Sequence, residues 1–146
     1  NRSQISKAAF LLSKETVTLV SRSSRLPTNI FLMTKPSLEI SVQELALRLS
    51  DRKPDLQLID VREPHEVAIA HLEGFDVLPL SDFANWSETI QSRYQSDLET
   101  LVICHHGMRS DRMCQWLRNI GFSNVKNIVG GIDAYSLFVD PKVSRY

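Results

Sequence analysis

Apolar positions along this chain fall into two alternating rhythms. Short, mostly apolar runs at residues 56–61, 77–78, 101–103 and 125–129 read as buried strands. Between them, Val42, Leu45, Ala46 and Leu49, and later Met113, Trp116, Leu117 and Ile120, recur at the i, i+3, i+4, i+7 spacing of one helical face. Ser41-Val42-Gln43-Glu44 forms a capping box at the start of the first helix. A short helix is predicted after Pro64, one or two helices across residues 81–94, and a closing helix over residues 132–138. Strands alternating with helices imply an α/β chain with a central, mostly parallel sheet and helices on both faces. In such sheets ligands bind beyond the carboxyl ends of the strands, where Asp60 and Cys104 fall.

The most informative stretch is Leu101-Val102-Ile103-Cys104-His105-His106-Gly107-Met108-Arg109-Ser110, an apolar strand that delivers a cysteine into a loop opening a helix. Ser110 is a candidate N-cap for the helical run at residues 111–120. Gly107 permits the tight wrap between strand and helix because it takes positive φ at little steric cost. Successive N–H groups then point inward. The helix N-terminus, these amides, Arg109 and any protonated His105 or His106 all favour negative charge on Cys104, which makes it a candidate nucleophile. A buried, inert cysteine is the alternative, but an inert site has no use for a flanking Gly, Arg and helix start.

The loop from Cys104 to Ser110 resembles the active-site loop of the rhodanese domain, a sulfurtransferase family. Distant segments resemble the family in order: Asp60-Val61-Arg62-Glu63 at a strand end, His71-Leu72-Glu73-Gly74, Leu78-Pro79-Leu80, Gly121-Phe122, and Gly130-Gly131-Ile132-Asp133-Ala134-Tyr135. Two positions depart from it. Ala70 stands where the family usually has Gly, and Tyr135 where Trp is commoner. The resemblance implies a three-layer rhodanese-like domain over residues 37–146 and a sulfane sulfur carried as a persulfide on Cys104. It also separates this chain from related phosphatases and arsenate reductases, whose loops place five residues between Cys and Arg. Here four intervene, and the shorter ring suits a sulfur atom rather than a phosphoryl group. A non-catalytic rhodanese-like module, binding partners or relaying sulfur within a complex, is the alternative function.

Around Cys104, the residues His105, His106, Gly107, Met108, Arg109 and Ser110 form the candidate substrate or anion-binding loop. Arg109 could neutralise a bound donor or brace the loop by pairing with an acid, and the anion contact is the favoured expectation. Asp60, Arg62 and Glu66 read as support, because an Arg between acids at a strand end ties the following loop to the sheet. His71 reads as a hydrogen-bonded support residue. Cys114, beside Met113 and Leu117, reads as core rather than a resolving thiol, and Trp86 and Trp116 as packing residues. A metal site built from Cys104, His105, His106, His71 and Cys114 is disfavoured because adjacent ligands on a tight loop converge poorly on a tetrahedral ion. The mechanism calls for no cofactor or metal.

A chain of 146 residues with 42% hydrophobic content suits one domain with a real core. Net charge is zero but unevenly spread: residues 1–36 hold six basic residues against one acidic, and the remainder eleven against sixteen. An acidic catalytic part with no basic patch argues against a nucleic-acid partner. The expected partners are a small sulfur donor (thiosulfate, polysulfide or persulfide) and a thiol or protein acceptor. Two cysteines are too few for a secreted disulfide framework. Residues 1–36 are Ser/Thr-rich and basic, and are expected to be a poorly ordered extension. Their longest apolar run, residues 8–12, is far too short to span a membrane. Either residues 1–32 are a transit-like peptide, which would place the protein in the plastid stroma, or they precede a natural start at Met33. The second is preferred, with a cytoplasmic location.

Overall fold

The computed structural model describes residues 36–51 and 53–146. The expectations for the basic N-terminal segment lie outside them but for Pro36. A short strand that the sequence reading did not predict, β1 (Glu39–Ile40), comes first, and the elements after it follow the predicted alternation: α1 (Val42–Ser50), β2 (Gln57–Asp60), α2 (Pro64–Ile69), β3 (Asp76–Val77), α3 (Phe83–Trp86), α4 (Ile90–Arg93), β4 (Thr100–Ile103), α5 (Met108–Asn119), β5 (Val125–Ile128) and α6 (Gly131–Phe138). The five strands form one sheet in the order β1-β5-β4-β2-β3, with every pairing parallel.

Strand alternation assigns the two faces. Leu101 and Ile103 of β4 join Leu58, Val42, Leu45 and Ile132 on the face covered by α1 and α6. Val102 and Cys104 point the other way, with Ile59, Trp86, Ile90, Met113, Cys114 and Leu117, under α3, α4 and α5. The period of two along a strand thus places Cys104 on the α5 face. Helices on both faces also explain why β4 is buried at every position.

The capping box forms at the start of α1: Glu44 N–H donates to Ser41 Oγ at 3.1 Å, and Ser41 N–H to Glu44 Oε2 at 2.9 Å. The segment predicted as one or two helices over residues 81–94 is instead a broken series, with 3-10 turns at Leu80–Asp82 and Ser87–Thr89 flanking α3. Its hydroxyls back-bond to the chain, Thr89 Oγ1 to the Trp86 carbonyl and Ser92 Oγ to the Thr89 carbonyl. Such bonds compete with a regular helix. Trp86, Ile90 and Tyr94 still hold the segment down as one buried stripe.

The site is positioned by the strand order. From β2 the chain runs outward to β3 on one side, and from β4 it runs to β5 on the other. The crevice therefore opens between the carboxyl ends of β2 and β4, where Asp60 pairs with Ile103. Arg62, fully buried, locks this edge. It donates to Asp60 through Nη2 at 2.7 Å and Nε at 3.0 Å, and to the Ala70 carbonyl at 2.9 Å. Burial works against its charge, but the hydrogen bonds to Asp60 and Tyr146 outweigh that and hold its pKa above the usual arginine value.

Arg62→Met would keep the bulk and remove the charge, leaving the Asp60 carboxylate buried without its partner. The expected cost is about 3–5 kcal/mol of unfolding free energy, read by chemical denaturation. A loss under about 1 kcal/mol would show that this pair does not hold the sheet edge.

Candidate active site

The cysteine loop, residues 104–107 between β4 and α5, is shaped by Gly107, Ser110 and Asn127. Gly107, at φ 98°, occupies the N-cap of α5, and the helix begins at Met108. Ser110 is therefore not the cap that the sequence suggested. The left-handed turn at Gly107 starts the helix sooner, and Ser110 falls in its first turn with its hydroxyl turned inward and fully buried. Gly107 N–H donates to Cys104 Sγ at 3.0 Å. The single Ser110 hydroxyl proton lies between two acceptors, Cys104 Sγ at 3.2 Å and Asn127 Oδ1 at 2.6 Å. Asn127 returns a hydrogen bond from Nδ2 to the Gly107 carbonyl at 3.0 Å.

The outer side of the loop is held by α6. Ile132 N–H donates to the Cys104 carbonyl at 2.9 Å and Asp133 N–H to the His105 carbonyl at 3.1 Å. With these carbonyls drawn outward, the Gly107 amide faces the sulfur, an arrangement that stabilises negative charge there. The approach needs Gly131, at φ 60°: a Cβ there would sit 2.4 Å from both carbonyl oxygens.

The charged residues divide into two interlocked pairs. Arg109 binds Glu66 through both guanidinium corners, Nη1 to Oε2 and Nη2 to Oε1, each at 2.7 Å. The favoured expectation gave this guanidinium to a bound anion; the structure gives it to a carboxylate, because α2 presents Glu66 directly across the crevice. The pairing raises the Arg109 pKa. That of Glu66 falls to about 2, chiefly through Arg109 and against the cost of burial, with help from the Glu63 amide and Tyr146. Tyr146 joins the pairs, its hydroxyl accepting from Arg62 Nη1 at 3.1 Å and donating to Glu66 Oε1 at 3.0 Å.

His105 is sandwiched, its ring 4.0 Å from that of Tyr146 and 3.9 Å from that of His106. Burial, and then the neighbouring His106, lower its pKa. His106 Nδ1 lies 3.8 Å from Asp133. Met108 stands 72% exposed at the rim. His71 is not brought to the site: it is exposed, with Nε2 3.4 Å from Glu73, because the chain after α2 turns along the surface. Cys114 is fully buried, and burial pushes its pKa up to about 12. Sequence reasoning missed Tyr146, Asn127 and the close approach of Gly131. Only Asn127, a short polar side chain set directly before the apolar pair Ile128-Val129 of a strand run, carried a signal.

A depression of about 310 Å3 is lined by Cys104, His105, His106, Met108, Arg109 and Arg112. Another, around Arg48, Lys53 and Glu99, holds charged groups and no nucleophile. Among the described residues no group of three His, Cys, Asp or Glu could hold a metal ion. No helix among them is long and apolar enough to cross a membrane.

Comparison with known proteins agrees with this geometry. Residues 41–137 match the family described as Rhodanese-like domain. The chain is 45% identical over 114 residues to Rhodanese-like/PpiC domain-containing protein 12, chloroplastic, of Arabidopsis thaliana, covering 77% of this chain and 38% of that protein. The chain thus spans little more than a third of that relative's length. It is 35% identical over 104 residues to the putative sulfurtransferase YtwF of Bacillus subtilis, covering 71% of this chain and 95% of that one. The human single-domain sulfurtransferase TSTD1 shares the fold, with a TM-score of 0.59 at 21% identity over 70% of this chain and 98% of that one.

The depressed Glu66 pKa fixes a pH dependence. A carboxylate held below its unfolded value of 4.5 contributes stability above that pH and loses it as pH falls toward about 2. Glu66→Gln should therefore be less stable than the wild type near neutrality, with the gap closing between about pH 4.5 and 2 in urea titrations. A gap that stays constant across that window would contradict the pairing.

Proposed function

This chain belongs to the rhodanese-like domain family, and from that premise we propose that it is a sulfurtransferase carrying a sulfane sulfur as a persulfide on Cys104. The observation that carries the reading is Cys104 Sγ facing the Gly107 amide at 3.0 Å, inside a loop whose first two carbonyls are tied outward to α6. In the first half-reaction the Cys104 thiolate attacks the outer sulfur of a donor such as thiosulfate. A new S–S bond forms, the donor's S–S bond breaks, and its electron pair leaves on sulfite. The persulfide anion keeps the charge where the loop amides stabilise it. An acceptor thiol, or cyanide in an assay, then attacks the outer sulfur and returns the electron pair to Cys104.

The supporting roles follow from the geometry. Gly107 and Ser110 face the reacting sulfur. Arg109 and Glu66 position the loop against α2, and Asp60 and Arg62 hold the sheet edge beneath it. His105, His106 and Met108 form the mouth. The sulfur donor class includes thiosulfate, polysulfides and persulfides, and the acceptor is a thiol or a protein. Residues 37–146 form the catalytic unit of this proposal, with residues 1–36 outside it. The chloroplastic relative supports a plastid location, with residues 1–32 as a transit-like peptide, over a cytoplasmic one. That relative's greater length also supports a second reading, a module that relays sulfur within a larger assembly.

Cys104→Ser should reduce thiocyanate formation from thiosulfate and cyanide to background while leaving the denaturation midpoint unchanged, because a hydroxyl is a far weaker nucleophile of nearly equal size. Substantial remaining turnover would sink the assignment. Cys114→Ala should retain turnover and lose about 1–2 kcal/mol of stability through a small cavity. A stall after one turnover would instead make Cys114 a resolving thiol.

A further inference from the structure

Several groups at the site could be positive, and among the described residues each but Arg112 faces an acid or is packed between rings. Arg109 is matched at both guanidinium corners by Glu66. His105 is packed between two rings, with burial working against its protonated form. His106 faces Asp133, which Arg145 already binds at 2.7 Å and 3.3 Å. Arg112 is different. It lines the Cys104 depression, and among the described residues it makes neither a salt bridge nor a side-chain hydrogen bond. It stands one helical turn beyond Met108 on α5, so the two share a face of the helix at the rim of the site.

We propose that Arg112, rather than Arg109, is the residue that reads the charge of the sulfur donor and favours donors bearing an anionic group beyond the sulfur that is transferred. The inference rests on the reading of Cys104 as the sulfur-accepting nucleophile. An unpaired guanidinium at the mouth attracts an incoming anion and stabilises the anion that departs, whereas the Arg109–Glu66 pair presents no net charge to either. Arg112 contributes to binding and selection, and takes no part in bond making.

The test uses two thiosulfonates that differ in charge, neutral methyl methanethiosulfonate and anionic sulfonatoethyl methanethiosulfonate. In both, the Cys104 thiolate attacks the divalent sulfur, a mixed disulfide forms, and methanesulfinate leaves with the electron pair. Rates are followed by intact mass in a Cys114→Ala background of the 146-residue chain, which leaves Cys104 as its single thiol. Arg112→Gln should lower the anionic-to-neutral rate ratio about three- to tenfold, Arg112→Glu should lower it further, and Arg112→Lys should restore most of it. The neutral reagent should react at the wild-type rate throughout, and added salt should shrink the contrast. With thiosulfate, Arg112→Gln should raise KM by a similar factor with kcat little changed.

An unchanged ratio in Arg112→Gln, or an equal fall for both reagents, would overturn the proposal. The sulfurtransferase reading fails on a separate result: a wild type that reacts with both thiosulfonates but takes sulfur from no donor.

Discussion

The site depends on a contact that involves no catalytic side chain: the first turn of α6 drawing the carbonyls of Cys104 and His105 away from the sulfur. A peptide is a rigid plane, so an outward carbonyl obliges the amide of the next residue to face inward. The bonds from Ile132 and Asp133, at 2.9 Å and 3.1 Å, therefore orient the loop. They form because Gly131 has no side chain and accepts a φ of 60°. The same economy of space recurs at Gly107, where a Cβ would come within 3.1 Å of the Gly130 nitrogen. Two turns, one after β4 and one after β5, are pressed together, and the sulfur sits in the concavity that remains.

The paired charges at the crevice fix this arrangement. Asp60 with Arg62, and Glu66 with Arg109, place four ionised groups at the crevice in two matched pairs, and Tyr146 hydrogen-bonds to one member of each. Buried ion pairs seldom add much net stability. Their value here is geometric, because a bidentate guanidinium tolerates little rotation. Glu66 ties α2, from one side of the strand-order switch, to α5 from the other. The proposed nucleophile thus lies in a loop braced from α2, β5 and α6, and among the described residues Arg112 lines the pocket without an acidic partner.

Much of this was legible in the chain. The parallel α/β sheet, the capped first helix and the cysteine at a strand end all leave local marks: apolar periods of 2 and 3.6, a Ser-x-x-Glu box, a Gly after the cysteine. What the sequence did not carry were pairings set by sheet order. Arg109 meets Glu66 across 43 positions and Tyr146 meets Glu66 across 80, and no period reports contacts of that reach. Ser110 misled for a different reason: a serine before an apolar helical run has the look of an N-cap, yet the left-handed Gly107 took that place and freed the hydroxyl to face Cys104 and Asn127. His71 carried a family pattern but no local interaction to draw it inward.

The central claim is that this loop holds a transferable sulfur on Cys104, and intact-mass measurement tests it most directly. The chain would be incubated in turn with thiosulfate, a polysulfide and a persulfidated protein, then measured before and after cyanide, with peptide mapping to locate the adduct. The account predicts the gain of a single sulfur atom from at least one donor, mapped to Cys104 and removed by cyanide with release of thiocyanate. No added sulfur from any of the three, or a sulfur that maps to Cys114, would contradict it.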